Sequence, residues 1–441
     1  MPDIASGVDV TVIGGGLAGM AASVHLARAG LDVLCVGPDM SNSPPVGESL
    51  DWSAPELLAA LGLPMDRLIA EGAATYKRHV TLKLDDGVTQ HYVPSEWLGQ
   101  PPFNVELRTL HVDRSKLNDA IRQIALNHGV KLLHSRVTNI DRDGKRVLAI
   151  NTLEGARISS PWFIDASGSS ASIFPRAFNL PFHEYGPRKT AMWTYFTVSE
   201  SIEGTTLYAE ASNPPYMEWM WEIPIQANTI SVGYVAPGDS IKAQRQQGLS
   251  VEDIFRTQLS RFPRFAEVLQ SSNVLSPHVT SFRCRVHGKV AGPNWLVAGE
   301  AASMVDPMTS NGVTAALRHA AEASSLVIRY RYRRQIPFLA AAMYSRRVAG
   351  MAKFFNCGIE KVVYDWPIRN CIGVATAGDV YTAPAWTLNA IYARLHPRGL
   401  LSTMFFDGVL CLFRAVASVF YSFCRQEESA FRVSGVNDAE A

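Results

Sequence analysis

The chain has 441 residues, and its 41 Lys and Arg nearly balance 40 Asp and Glu, giving a formal net charge of +1. This balance excludes bulk electrostatic attraction to nucleic acid, and 47% hydrophobic with 18% charged residues excludes general disorder. The six cysteines are scattered without a disulfide framework or metal-ligand spacing. With no cleavable apolar segment at its start, we expect a reducing, cytoplasmic setting and no metal.

The first 36 residues predict a βαβ unit. A short β-branched run at 10–13 is followed by three glycines, and a helix rich in Ala and Leu at 17–29 ends before Gly30. A second apolar run follows at 31–36. Strand, glycine turn, helix and strand within about 30 residues is the size of such a unit.

Three glycines of the first turn satisfy G-x-G-x-x-G: Gly14, Gly16 and Gly19. The first makes the tight turn, the second lets the backbone approach a pyrophosphate, and the third lets the helix pack against the sheet. The helix N-terminus then offers free N–H groups to phosphates. In place of the acidic residue that usually binds the ribose stands Gly37-Pro38. Either Asp39 takes the place of this acidic residue, or other residues bind the ribose.

Strands and helices interleave along the rest of the chain. Hairpins are predicted where apolar runs flank a turn: 80–84 with 88–93, and 131–140 with 146–152. Helices are predicted by apolar periodicity at 56–61, 115–128, 251–270 and 313–332, and mostly strand at 190–235. The last hundred residues are apolar and helical in pattern. The fold class is therefore α/β, with one lobe richer in antiparallel strand.

Two further glycine turns follow short strands. The first contains Asp165 and Gly168, and the second contains Gly299 and Glu300. A strand that ends in glycine and a carboxylate suits a ribityl hydroxyl. A helix that begins at Gly312 would direct its N–H groups at the electron-rich edge of a reduced isoalloxazine.

In this order the three turns resemble the FAD-dependent monooxygenase superfamily with the p-hydroxybenzoate hydroxylase fold, over roughly residues 8–345. The resemblance implies a Rossmann-like FAD-binding domain at 1–185, with substrate-lobe strands inserted near 75–110. It implies an antiparallel-sheet substrate domain at 186–275, a return FAD-binding segment at 276–345 and a C-terminal helical region at 346–441. The implied FAD contacts are Gly14, Gly16, Gly19, Asp39, Glu48, Ser49, Arg114, Asp165, Gly168, Gly299, Glu300, Pro307 and Gly312.

Within that superfamily the sequence is most similar to the flavin-dependent halogenases. Gly-Glu-Ser at 47–49 looks like their flavin-proximal segment, Lys77 follows at the family's spacing, and Trp-Met-Trp-Glu-Ile-Pro at 219–224 fits W-x-W-x-I-P. The stretch 306–312 lacks the Glu of tryptophan-directed halogenases. In this respect the chain looks like the phenol- and pyrrole-directed branch.

The resemblance implies a reaction. FADH2 from a separate flavin reductase would react with dioxygen to give a C4a-hydroperoxide, and halide bound at Asn311 and Gly312 would become hypohalous acid. Lys77 would direct the halogen to an electron-rich aromatic carbon, and Trp219 and Trp221 would exclude the substrate from the flavin. The substrate would be a small aromatic molecule, a carrier-bound ring or a peptidyl residue.

Each of these interpretations has an alternative. Trp219 and Trp221 stand at alternate strand positions and share a face, and such pairs are often part of the core. Lys77 precedes a strand, where a lysine is usually a solvated charge. Asp306 is either a helix cap or a base. Direct hydroxylation of an aromatic or of peptidyl tryptophan, and reduction of isoprenoid double bonds, are the competing functions. The apolar segment 400–424 packs on the main body, closes the substrate pocket, docks a carrier or protein partner, or lies on a membrane, the last not favoured.

Overall fold

A computed structural model describes residues 7–38, 45–93, 107–212, 214–271 and 276–364, with short pieces between 96 and 104 and single residues beyond 364. Asp39 and most of the segment 400–424 lie outside the described residues. The chain divides into two compact units. Unit 1 comprises Met1–Thr75, Thr109–Glu184 and Cys284–Lys353, and unit 2 comprises Tyr76–Arg108, Tyr185–Arg283 and Phe354–Ala441. The domain bounds expected from the sequence stay a prediction.

The helices are mostly short, and two are long. In chain order they are α1 (Leu17–Arg28), α2 (Ala54–Ala60), α3 (Met65–Ala70), α4 (Arg114–Asn127), α5 (Ile173–Ala177), α6 (Gly238–Gln246), α7 (Val251–Ser260), α8 (Ala266–Ser271), α9 (Gly312–Tyr330) and α10 (Phe338–Gly358), followed by a π-helix at Ile359–Tyr364. Short 3-10 turns lie at Pro263–Phe265, Gly299–Ala301, Pro307–Thr309 and Arg331–Arg333. Within the described part of the chain, no helix combines the length and apolarity that a membrane span requires.

The strands supply a parallel sheet to unit 1 and an antiparallel region to unit 2. In chain order they are β1 (Val10–Ile13), β2 (Val33–Gly37), β3 (Ala74–Lys77), β4 (Val80–Leu84), β5 (Thr89–Tyr92), β6 (Thr109–Val112), β7 (Lys131–His134), β8 (Val137–Asp143), β9 (Arg146–Thr152), β10 (Arg157–Ile158), β11 (Trp162–Asp165), β12 (Phe182–Thr197), β13 (Thr205–Ala209), β14 (Trp219–Gln226), β15 (Thr229–Pro237), β16 (His278–His287), β17 (Trp295–Val297) and β18 (Ser303–Met304).

The core of unit 1 is a five-stranded sheet of order β17-β11-β1-β2-β7, in which every pairing is parallel. Its central strand β1 is wholly buried, as expected for a parallel strand covered on both faces. Apolar side chains of α1 and α9 belong to the same core. The βαβ unit predicted from the first 36 residues is confirmed, with Gly30 at φ +78° ending the helix.

The hairpin predicted from 131–140 and 146–152 is only partly correct. β7 joins the parallel sheet beside β2, and β8 alone pairs antiparallel with β9. The extended segment is interrupted between β7 and β8 at Ser135, whose N–H donates to the carbonyl of Gly37 at 3.1 Å. Periodicity could not locate this break, because two consecutive strands of similar pattern read as one run.

The strands of unit 2 belong to an eight-stranded sheet, in which six of them follow one another in the order β12-β15-β14-β13-β4-β5. The pairings among these six strands are antiparallel except for the parallel pair β13 and β4. The predicted hairpin of β4 and β5 is confirmed, with Leu82 opposite Gln90. The predicted helical segment 251–270 is also present, as α7 and α8 separated by a 3-10 turn.

The two faces of this sheet carry different side chains, because successive residues of a strand point to opposite faces. Met192, Met220 and Tyr234 belong to a core shared with apolar residues of α6, α7 and α8. The alternate positions form the other face, where Trp193, Gly233 and Trp221 stand in register, as do Ala191, Val235 and Trp219. We call this second face the indole face.

Candidate functional site

The loop after β1 is closed so tightly that its glycines have no room for side chains. Gly14 has φ +108°, and a methyl group on it would lie 2.2 Å from the carbonyl oxygen of Ala166. A methyl group on Gly19 would lie 1.8 Å from the carbonyl oxygen of Gly14. These two glycines therefore bring the loop, the start of α1 and the end of β11 together.

The N-terminus of α1 is open where the loop meets it. Gly16 is the N-cap, no side chain caps the helix, and its first turn has no acidic residue. A methyl group on Gly16 would have no atom within 4 Å. The free N–H groups and this open space fit the pyrophosphate of a dinucleotide.

The end of β2 explains why the usual acidic residue is missing. A methyl group on Gly37 would lie 2.6 Å from the backbone nitrogen of Gly15. A side chain at this position would push β2 away from the glycine loop. Asp39, the expected substitute, lies outside the described residues.

The second glycine turn is held by Asp165, which is fully buried. Its carboxylate accepts hydrogen bonds from the backbone N–H of Phe174 at 2.7 Å and from the N–H and hydroxyl of Ser167. Burial raises the pKa of Asp165, and these hydrogen bonds oppose that rise. The carboxylate thus shapes the turn that carries Gly168, at φ +82°, and it binds the protein's own backbone.

The third glycine turn packs against the first two. Gly299 has φ +62°, and a methyl group on it would lie 2.8 Å from Cβ of Ala18. Ala298 donates its N–H to the carbonyl of Asp165 at 2.8 Å. Glu300 is exposed and accepts from the hydroxyl of Ser169 at 3.3 Å. Unit 1 therefore brings the three predicted turns to one place.

His319, which the sequence did not single out, supports the third turn from α9. Its buried ring lies close to the backbone of Gly299, which partly opposes the lowering of the His319 pKa. Burial and, to a smaller extent, the neighbouring Arg318 lower the pKa of His319 to about 3. The imidazole is therefore neutral at physiological pH. A histidine inside an apolar helix pattern gave no signal of this contact.

The Gly-Glu-Ser segment is fixed by the first residue of α4. Arg114 donates Nη1 to the carbonyls of Val46 at 2.5 Å and Gly47 at 3.3 Å. Glu48 is buried, and its carboxylate accepts from the N–H of Gly47 at 2.9 Å. Arg114, predicted to contact FAD, thus also positions this segment.

The stretch before α9 reaches the same segment. The hydroxyl of Ser310, at φ +54°, donates to the hydroxyl of Ser49 at 3.2 Å. Asn311 is the buried N-cap of α9 and makes no side-chain cap bond. A methyl group on Gly312 would have no atom within 4 Å. The helix therefore begins beside Ser49 with uncapped N–H groups facing open space, which fits an anion or a flavin edge.

Asp306 acts as a cap, which favours the first of the two alternatives considered for it. It is fully buried, and its carboxylate accepts from the N–H of Met308 at 3.0 Å, next to Pro307 at the start of the 3-10 turn. The thiol of Cys284 lies 3.7 Å from its other oxygen.

Lys77 lies at the end of β3 and is only 3% exposed. The alternative interpretation of Lys77 as a solvated charge is therefore wrong. Its neighbour Arg78, by contrast, has a side chain that is 69% exposed and forms an ion pair with Glu203.

Trp219 and Trp221 are buried side by side on the indole face, with ring centres 5.8 Å apart. Trp219 donates its indole N–H to the hydroxyl of Tyr364 at 2.7 Å, and Trp221 donates to the hydroxyl of Ser231 at 3.1 Å. A methyl group on Gly233 would lie 2.1 Å from the Trp221 ring. Gly233 therefore makes the space for Trp221, which explains the Val-Gly pair at 232–233.

The residue between Trp221 and the Ile-Pro pair anchors the strand from the opposite face. Glu222 is fully buried and accepts from Arg264 at 3.0 Å and from the hydroxyl of Tyr208 at 2.6 Å. Burial, reinforced by the Glu222 charge, raises the pKa of Tyr208 far above its usual range. The Tyr208 phenol therefore keeps its proton and donates a hydrogen bond to Glu222.

Comparison with known protein families matches two models. The tryptophan halogenase model matches residues 101–353. The lycopene cyclase protein model matches residues 9–190, which include the first two glycine turns.

Curated relatives are halogenases. The chain is 26% identical over 382 residues to a tryptophan 2-halogenase of Chondromyces crocatus, covering 82% of this chain and 70% of that protein. It is 25% identical to the flavin-dependent halogenase armH1 of Armillaria mellea, covering 74% and 65%. It is 26% identical to the 1H-pyrrole-2-carbonyl-(peptidyl-carrier protein) brominase of Pseudoalteromonas luteoviolacea, covering 72% and 77%.

Solved structures share the fold. Halogenase PltM in complex with phloroglucinol and FAD superposes with a TM-score of 0.72 at 16% identity, covering 96% of this chain and 93% of that chain. The flavin-dependent brominase Bmp2 gives 0.64 at 20% identity, covering 89% and 100%. The predicted α/β class with a Rossmann-like domain is confirmed.

Proposed function

The chain belongs to the tryptophan halogenase family and is an FAD-dependent enzyme, and we propose that it halogenates an electron-rich aromatic ring by way of Lys77. FAD, when bound and reduced, supplies the activation of dioxygen that converts halide to an electrophile. The remaining steps are assigned to residues of this chain.

In this proposal unit 1 binds the cofactor. The uncapped N–H groups of α1 at Gly16 would bind the pyrophosphate, and Glu300 would reach a ribityl hydroxyl. The start of α9 at Asn311 and Gly312 would hold the halide, because backbone N–H groups at a helix N-terminus favour an anion. The contacts of Ser310 with Ser49 and of His319 with Gly299 would keep these groups in position.

The burial of Lys77 is the observation that carries the proposal. A lysine is almost never fully buried unless its ammonium has a partner or a task, because removing the charge from water costs free energy. Lys77 is 3% exposed, and its spacing from the Gly-Glu-Ser segment at 47–49 resembles that of the reactive lysine of the halogenases. An ammonium held there can bind the electrophilic halogen and present it to a ring carbon.

The experiment measures products from the FAD-loaded enzyme with photoreduced flavin, dioxygen and bromide, offered a phenol, an indole and a pyrrole bound to a carrier protein. Mass spectrometry should find brominated product with at least one of them. Lys77→Met should lower bromination at least about a hundredfold, the usual size of a lost proton-transfer or positioning group, without loss of bound FAD. Lys83→Met, on β4, the next strand along the chain, is the matched control and should keep its rate.

Two results would contradict the proposal. Full bromination by Lys77→Met would remove the lysine from the reaction. An oxygenated product formed equally well without bromide would favour direct hydroxylation, the second candidate. That candidate is motivated by the stretch 306–312, which lacks the Glu of tryptophan-directed halogenases.

A further inference from the structure

A buried ion pair lies at one end of the indole face. Nζ of Lys189 is 3.0 Å from Oε1 of Glu360, and the lysine side chain is 1% exposed. Lys189 is two residues before Ala191 on β12 and therefore shares the face that carries Trp219. Replacing such a pair by apolar residues of equal volume is often neutral or stabilising. Stability alone is thus a weak reason for its presence.

Aromatic rings and a glycine complete the surroundings of the pair. Nζ of Lys189 lies 4.0 Å from the ring centre of Tyr364 and 5.8 Å from that of Tyr216, and the two rings stack with centres 5.0 Å apart. The hydroxyl of Tyr216 donates to the Glu360 carboxylate. A methyl group on Gly186 would lie 2.0 Å from that carboxylate. We call these five residues the Lys189 subsite.

The two charges of the Lys189 subsite are not equally enclosed. The side chain of Glu360 is 12% exposed, whereas that of Lys189 is 1% exposed. Glu360 also belongs to the π-helix, a conformation that occurs frequently at functional sites. The ammonium is therefore the deeper of the two charged groups, and the carboxylate is the one nearer to solvent.

The Lys189 subsite continues directly into the tryptophan pair. Tyr364, which covers Lys189, accepts the indole N–H of Trp219 at 2.7 Å, and Trp219 lies against Trp221. The ring of a planar ligand on this face would contact the indoles of Trp219 and Trp221. One end of the ligand would reach the ammonium of Lys189 and the phenol hydroxyl of Tyr216. Such an arrangement recognises an aromatic ring that carries an anionic group.

We propose that the Lys189 subsite binds the carboxylate of an aromatic carboxylic acid substrate, and that Glu360 occupies the place of this carboxylate when the substrate is absent. Lys189 and Tyr216 would donate to either carboxylate, and the substrate's carboxylate would take the space beside Gly186 that the Glu360 carboxylate fills in the structure. The proposal rests on the proposed function, since it names the substrate class of that reaction. It predicts that the chain's own glutamate competes with the substrate.

Binding of benzoate to the FAD-loaded protein, without reductant, tests this directly. In Glu360→Gln the competing negative charge of Glu360 is gone. Calorimetry should show benzoate binding about tenfold more tightly than in the wild type, the effect of one charge-assisted hydrogen bond. Benzoate should also raise the melting temperature of this variant through linkage. Benzamide, which lacks the charge, and acetate, which lacks the ring, should do neither.

The matched control is Glu222→Gln, which breaks another buried carboxylate contact in unit 2 on the opposite face. Benzoate should stabilise this control no more than it stabilises the wild type. If Glu360→Gln does not fold, Glu360→Asp withdraws the carboxylate by one methylene and should show a smaller gain for benzoate. Adding Lys189→Met should abolish the gain.

Equal benzoate affinity in the wild type and Glu360→Gln, or equal stabilisation of the Glu222→Gln control, would overturn the proposal. Because no turnover is measured, this outcome is independent of whether the enzyme halogenates. Conversely, a failure to brominate any substrate would leave a positive benzoate result standing.

Discussion

Acid should destabilise unit 1 through His319. The pKa of this histidine is about 3 in the folded protein and about 6.5 in an unfolded chain. Since the folded-state pKa is the lower one, the unfolded state binds the proton more readily. The neutral ring therefore favours folding fully above about pH 6.5, and this advantage is lost as the pH falls below that value.

The size of the loss follows from the two pKa values. Below about pH 6.5 each pH unit removes about 1.4 kcal/mol from the free energy of unfolding, until the folded-state pKa is reached. Between pH 7.5 and pH 5.5 the contribution of His319 is thus about 1.4 kcal/mol. Urea denaturation of the FAD-loaded protein at both pH values should show this difference between the wild type and His319→Gln.

The variant should be less sensitive to acid than the wild type by that amount, even if it is less stable at neutral pH. His128→Gln, at an exposed position after α4, should respond to acid as the wild type does. Equal losses in the wild type and His319→Gln would refute the reasoning, because another group would then bind the proton.

Two further predictions concern glycines. Gly14→Ala should prevent folding of the loop and abolish FAD retention, because its methyl group would overlap the carbonyl of Ala166. Gly16→Ala, by contrast, should fold with an unchanged melting temperature. Its affinity for FAD, measured by fluorescence titration, should fall. Gly233→Ala should shift the tryptophan emission and lower the melting temperature by several degrees, because the new methyl group displaces the Trp221 ring. A Gly16→Ala variant with wild-type FAD affinity, or a Gly233→Ala variant with an unchanged melting temperature, would contradict these expectations.

The sequence predicted the parts of the fold that depend on neighbouring residues. The first βαβ unit and the hairpin of β4 and β5 follow from local periodicity and turn residues, and the structure has them near the predicted bounds. The three glycine turns were found because each follows a strand directly. Their meeting in unit 1 could be expected, because the carboxyl ends of parallel strands lie at one edge of a sheet.

The sequence could not predict contacts that depend on distant segments. Lys189 and Glu360 are 171 positions apart, and neither lies in a recognisable motif. Likewise, the packing of His319 against Gly299 depends on how α9 returns to the sheet, which the apolar pattern of α9 does not reveal. Polar contacts of this kind need the tertiary structure, because a single charged residue in an amphipathic pattern reads as an exposed one.

The tryptophan pair shows how the two levels combine. Alternation in W-x-W predicts that Trp219 and Trp221 share a face, but it does not say which elements cover that face. In the structure, the helices α6 to α8 cover the opposite face, and Tyr364 of the π-helix bonds to Trp219. The indoles are buried and hydrogen-bonded, and they adjoin a charged pair rather than the apolar core of Met192, Met220 and Tyr234.

A buried face that combines indoles, stacked phenols and an ammonium is unusual as core, because apolar side chains would fill it at lower free-energy cost. Its composition matches that of a surface that binds a polar aromatic ligand.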